Sequence, residues 1–244
     1  MKTPRSPEVR YRKQLLLLVS SLNNDIRTTI VPLLKQFQSE YVNDAYAKSL
    51  EAAFDMLRKS YSDINENAKI VSNSFVTNSS DTNKRRFYSA VNEAVGVNLQ
   101  SVVQNEGLED ILVATTRENV SLIRSIPEEY FKKIESIVFT GTTQGSTAGS
   151  MIKQIQKTGK TTASRAKLIA RDQSSKLNSA LTQQRSKNLG VEEYIWRTSG
   201  DERVRDDHRS KNGKIFRWDD PPKDTGHPGQ DIQCRCVAQP IINI

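Results

Sequence analysis

Apolar residues fill nearly every position of Leu15–Val19 within the segment Tyr11–Leu22, a pattern that predicts a well-buried helix. Asn23, Asn24 and Asp25 follow with side chains of the kind that cap helix N-termini, and Pro32 predicts a kink or restart. Ala45, Leu50, Ala53, Phe54, Leu57 and Tyr61 recur at three- and four-residue spacing, the stripe of an amphipathic helix. Phe87, Val91, Val95 and Leu99 repeat that spacing beyond the polar stretch 73–83, in which Asn78, Ser79, Ser80 and Asp81 read as a loop ending in an N-cap. A third stripe, Leu108, Ile111, Leu112 and Thr115, leads toward Pro127, the expected start of a further helix over 128–139. The uncharged run Gly141–Gly149 breaks the pattern; without a following Gly-Lys-Ser/Thr it does not fit a phosphate-cradling loop. A short helix over 151–157 and a longer one over 162–189 come next, the latter packing through Ala166, Ile169, Ala170, Leu177, Ala180 and Leu181. Gly190 stands where a helix C-cap glycine belongs.

Beyond Gly190 the period changes. Residues 191–198 alternate aromatic, aliphatic and polar groups as a strand does, and 214–218 and 236–242 are the candidates to pair with them. Trp196, Phe216 and Trp218 are the expected core of that small sheet. The predicted class is α+β, mostly α. An elongated N-terminal helical region (1–140) is followed by a glycine-containing hinge and short helix (141–160). A small C-terminal α+β module with a short antiparallel sheet (161–244) completes the chain.

Composition sharpens this picture. Only 36% of the 244 residues are hydrophobic, which is lean for a single dense globule and fits a protein completed by partners. The longest apolar run is far below the roughly 20 residues of a membrane span, and no secretory leader is evident at the start. Two cysteines exclude a disulfide-rich scaffold. The formal charge is +8, and it is local. Lys153, Lys157, Lys160, Arg165, Lys167, Arg171, Lys176, Arg185 and Lys187 crowd the segment 151–190, opposed only by Asp172, while the flanking regions are nearly neutral. Such a segment is drawn to DNA phosphates or an acidic protein surface without sequence specificity; a solvated helix face is the plain alternative.

Every His and Cys lies in the tail: His208, His227, Cys234 and Cys236, with Asp201 nearby. Two sulfurs in Cys-x-Cys can approach one ion, and His and Asp can complete a tetrahedral shell, so a structural zinc site is one reading. Buried thiols beside a hydrogen-bonded polar cluster are the other. Catalysis by a Cys/His or Asp/His pair finds little support, since no glycine-rich oxyanion motif adjoins either cysteine. Arg235, between the cysteines, is expected to point away from them.

The order Tyr194-Ile195-Trp196-Arg197-Thr198-Ser199, Asp201-Glu202-Arg203-Val204-Arg205, His208, Asn212-Gly213-Lys214, Pro221-Pro222, His227-Pro228 and Cys234-Arg235-Cys236 resembles the phage Mu F-like minor head protein family. Upstream, residues 119–127, the glycine run and Arg165–Asp172 resemble it too, although Asp172-Gln173 stands where the family more often has Thr-Glu. The resemblance covers about residues 105–240. It implies a head morphogenesis protein of a tailed phage, acting in procapsid assembly and DNA packaging or delivery. Its expected partners are portal protein, capsid or scaffolding proteins and packaged DNA, and its expected place is the virion interior. It implies no catalytic residue: enzymatic domains, where they occur, follow the C-R-C, and a chain stopping eight residues after Cys236 predicts none here. The competing expectation is a metal-dependent nuclease using Asp201, His208, Cys234 and Cys236.

Overall fold

A computed structural model of the chain describes residues 5–36, 44–96 and 106–242. Among these residues the fold is mostly α with a small α+β module, as the periodicity predicts. The helices are α1 (Arg5–Gln36), α2 (Asp44–Ser60), α3 (Ile64–Val95), α4 (Glu109–Thr143), α5 (Ala148–Asn188) and the single turn α6 (Asp206–Arg209). The strands are β1 (Glu193–Arg197), β2 (Ile215–Arg217) and β3 (Val237–Pro240). No helix among the described residues is long and apolar enough to cross a membrane.

Four helices run through positions where local signals predict a break. In α1 the spacing Tyr11, Leu15, Val19, Leu22, Ile26, Ile30 and Leu34 continues unbroken, each residue 2% exposed or less. Asn23 and Asp25 therefore lie inside the helix and cap nothing: Asn23 Oδ1 accepts the Tyr130 hydroxyl at 2.7 Å and Asp25 the Tyr61 hydroxyl at 2.6 Å. Pro32 is also internal. Only one face of the Leu15–Val19 run is buried, and Leu17 is 55% exposed.

The polar stretch 73–83 belongs to α3, not to a loop. Its Ser72 hydroxyl donates to the Thr116 carbonyl at 2.9 Å and its Asn83 amide to the Asn178 and Thr182 side chains, so the polar groups find partners on neighbouring helices. The stripe Phe87–Val91 follows on the same helix; Leu99 lies outside the described residues. Pro127 is buried within α4, where Ile123, Ile126, Tyr130, Phe131 and Ile134 pack on both sides of it. That burial outweighs the cost of about 3 kcal/mol for an internal proline.

The two helices expected after residue 150 are one, α5, with Gly159 inside it. A Cβ at Gly159 would collide with Asn23 Oδ1, so this glycine permits close approach to α1 and does not end a helix. The expected packed face holds, with Ala180 only half-buried. The chain break itself is confined to 144–147. At the far end of α5, Gly190 takes φ 69°, its N–H donating to Lys187 O while Val191 N–H donates to Ser186 O, a Schellman closure.

β1 is central in the sheet, antiparallel to both neighbours in the order β2-β1-β3. Tyr194 sits opposite Phe216, and Trp196 opposite Ala238. Tyr194, Trp196, Trp218, Cys234, Cys236 and Ala238 form the buried cluster, with Phe216 packed against it half-buried.

The chain forms two compact units. A sheet-bearing unit comprises Met1–Tyr11, Ser72–Glu118 and Ala170–Ile244; a helical unit comprises Arg12–Val71 and Asn119–Ile169. The helical unit is closed by α1, α2, α4 and the first half of α5, with Tyr61 edge-on to Phe131 at 5.5 Å.

Candidate metal centre

The site is built in the sheet-bearing unit, where three short elements meet α5. His208 comes from α6, between β1 and β2; Cys234 and Cys236 come from the loop leading into β3. α5 fixes that loop through two buried hydroxyls: Ser175 Oγ donates to Cys234 O at 2.6 Å, and Ser179 Oγ to Pro228 O at 2.7 Å. Gly229, at φ 92°, fits because a Cβ there would stand 3.1 Å from Ser175 O. Gln233 adopts φ 58°, a left-handed conformation rare for a side-chain-bearing residue, and its N–H donates to Asp172 Oδ1 at 2.9 Å. That turn carries the chain directly into Cys234.

His208, Cys234 and Cys236 are all buried, and their donor atoms lie within 4.8 Å of one another. His208 Nδ1 is 3.4 Å from each sulfur. On the other side of the ring, Nε2 is 3.0 Å from Asp231 Oδ2. Arg205 reaches the same carboxylate oxygen at 3.1 Å and also donates to Ile232 O. Trp196 meets the imidazole edge-on at 5.4 Å. The backbone N–H groups of Gly229 and Cys236 point at Cys234 Sγ, at 3.3 and 3.4 Å. The hydrogen bond with Cys236 draws the Cys234 thiol down against the opposing effect of burial, and those N–H groups and His208 add to it. Cys236 is pushed up by the same bond and by burial, so Cys234 is the first of the pair to ionise. The three groups open on a cavity of about 210 Å³, also lined by Arg171, Arg203, Arg205 and Arg235.

Asp201 and His227 stand apart from this group. Asp201 is paired with Arg235, which holds its carboxyl below the usual range. His227 packs against Tyr194 and Trp218, with Nδ1 3.0 Å from Tyr194 Oη and Nε2 3.1 Å from Gln183 Nε2. Asp231 carries no sequence signal that separates it from the other acids of the tail; only the fold brings it to His208.

The basic segment divides in three. Lys153, Lys157, Lys160, Lys167 and Lys187 are exposed; Arg165, Arg171 and Lys176 are half-buried, with Arg165 on Glu129 and Lys176 on Asp172. Arg185 is fully buried, so it is withdrawn from any external contact. Its five N–H donors are all used, on Glu106, Asn83 and Ser80. Lys153, Lys157, Lys160 and Lys167 fall on one face of α5 by the 3.6-residue period, and none has an acidic partner among the described residues.

A protein of Haemophilus influenzae strain Rd, described as an uncharacterized protein, is 36% identical over 245 residues. The alignment takes in the whole of this chain and 55% of the relative, so the chain spans about half the length of the protein it matches. No solved structure matches. Residues 132–239, which run from the last turns of α4 through α5 and the metal-candidate group to β3, match the family model described as Phage Mu protein F like protein.

Proposed function

We propose that the protein is a minor head protein of a tailed bacteriophage. It acts with portal protein, and with capsid or scaffolding proteins, in head morphogenesis, packaging and delivery of DNA, and it resides inside the head. The family match over 132–239 supports head morphogenesis. The observation that carries the finer reading is the lysine ridge Lys153, Lys157, Lys160 and Lys167: four exposed cations with no acidic partner among the described residues, over about 21 Å of helix. A straight row of fixed positive charge binds packaged DNA through its phosphates, with no base to read.

Asp201 is engaged by Arg235 and stands outside the His208–Cys234–Cys236 group, which supports a structural role over the nuclease.

The test is charge reversal of the four lysines to Glu in the full chain. Retention of duplex DNA by the unmutated protein is expected to fall on the order of a hundred-fold between 50 and 200 mM salt, for about four neutralised phosphates. The reversed variant is expected to lose binding and salt dependence together, and phage carrying it to make heads with less of the protein or less DNA. Normal heads and normal DNA retention in that variant would sink the ridge assignment.

A further inference from the structure

We infer that His208, Cys234 and Cys236 hold a zinc ion, with Asp231 orienting the histidine from behind and the fourth coordination position facing the arginine-lined cavity. This goes beyond the head-protein reading and does not rest on it. The donor set is two sulfurs and one imidazole nitrogen, the chemistry that selects zinc among common intracellular ions. Asp231 accepts the Nε2 proton of His208 at 3.0 Å, which leaves the Nδ1 lone pair directed at both sulfurs. A lone pair can take a hydrogen bond from only one thiol at a time, yet both sulfurs sit 3.4 Å from it. A cation between the three satisfies all of them at once. Carboxylate behind imidazole is the usual outer-sphere arrangement at zinc, and backbone N–H groups directed at a sulfur, as on Cys234, stabilise a thiolate ligand.

Three protein ligands leave one position of a tetrahedron. All three line the same cavity, whose walls carry Arg171 and Arg203, neither with an acidic partner among the described residues. Two thiolates neutralise the ion's charge, so the cavity's remaining positive charge comes from its arginines. The fourth ligand is accordingly a water that small oxyanions such as phosphate exchange with. Binding releases the two thiol protons to solvent and changes no oxidation state.

The test uses the full chain. Metal analysis after reconstitution and dialysis is expected to give about one zinc per chain. Replacement by cobalt is expected to give thiolate-to-metal charge transfer and the intense visible bands of a tetrahedral site. Neither reading depends on a variant folding. Cys236→Ser and His208→Ala are expected to lose the ion, Asp231→Asn to weaken binding by about 10- to 100-fold, and Asp201→Asn to keep it at full stoichiometry. Inorganic phosphate is expected to shift the visible bands of the cobalt form, and Arg203→Ala to weaken that shift. A metal-free chain after reconstitution, with both thiols open to alkylation, would overturn the site. Loss of the ion in Asp201→Asn would overturn the ligand set, and visible bands indifferent to phosphate would overturn the open position.

Discussion

Arg185 shows how much one side chain can settle. Its Nε and one terminal nitrogen grip both oxygens of Glu106, at 3.0 and 2.9 Å, and the remaining donors reach Asn83 and Ser80. Burial opposes ionisation of Glu106, but Arg185 outweighs it and the carboxyl is held low. Arg185→Met is expected to destabilise the protein by about 3–5 kcal/mol, read by urea denaturation, because it strands a buried carboxylate. Arg185→Lys is expected to recover only part, since a single ammonium cannot reproduce the fork. His227 makes a second prediction at this scale. Burial first, and then the charge of Lys187, lower its pKa in the folded protein. The unfolded chain therefore binds the proton more readily, and the stability this contributes is present above the ordinary histidine value of about 6.5 and is lost as the pH falls through the lower folded value. Denaturation midpoints compared at neutral and mildly acid pH should show this loss, and His227→Gln should flatten it.

At the scale of the element, Gly159 reverses a general rule. Glycine in a helix interior is worse than alanine by roughly 0.5–1 kcal/mol, yet Gly159→Ala is expected to cost about 1 kcal/mol, because the new methyl displaces Asn23 from Tyr130. The double variant Asn23→Ala, Gly159→Ala should be more stable than the sum of the two singles, measured as a coupling in thermal melts. The same pair explains what local pattern conceals. Helix and strand types, the sheet partners and the C-cap at Gly190 follow from periodicity and turn chemistry, which are local. Helix ends do not: Asn23, the 73–83 run and Gly159 carry stop signals one at a time, and each is overruled by a partner distant in sequence. Asn83 pairs with Asn178 and Thr182, and Ser72 with Thr116, so a run that looks like a solvated loop is a helix with its polar groups turned inward. The candidate centre is half legible for the same reason. His208, Cys234 and Cys236 announce themselves by type, whereas the exclusion of Asp201 and His227 and the inclusion of Asp231 depend on loop geometry around Gln233 and Gly229.

For the molecule as a whole, the segment that matches the family is not a compact unit. Residues 132–169 fall in the helical unit and 170–239 in the sheet-bearing one, while the first three helices and the first part of α4 also contribute to these units. Ser80, Asn83 and Glu106, the anchors of Arg185, all lie outside the matched segment. A fragment of residues 132–244 is expected to show no cooperative thermal transition and poor amide dispersion by NMR, whereas the full chain shows both. Cooperative unfolding of that fragment would mean that the N-terminal helices are dispensable for the fold.

The strand order β2-β1-β3 has a consequence in time. β1 is the first of the three strands to be made and has two edges to satisfy. One is met by β2 after a short connection, the other only when Val237–Pro240 arrives, after the loops that carry His208 and the cysteines. Until then Tyr194 to Arg197 offers an open row of backbone donors and acceptors to any strand at hand, including the same strand of another copy. That interval is when this protein is most exposed to misassembly.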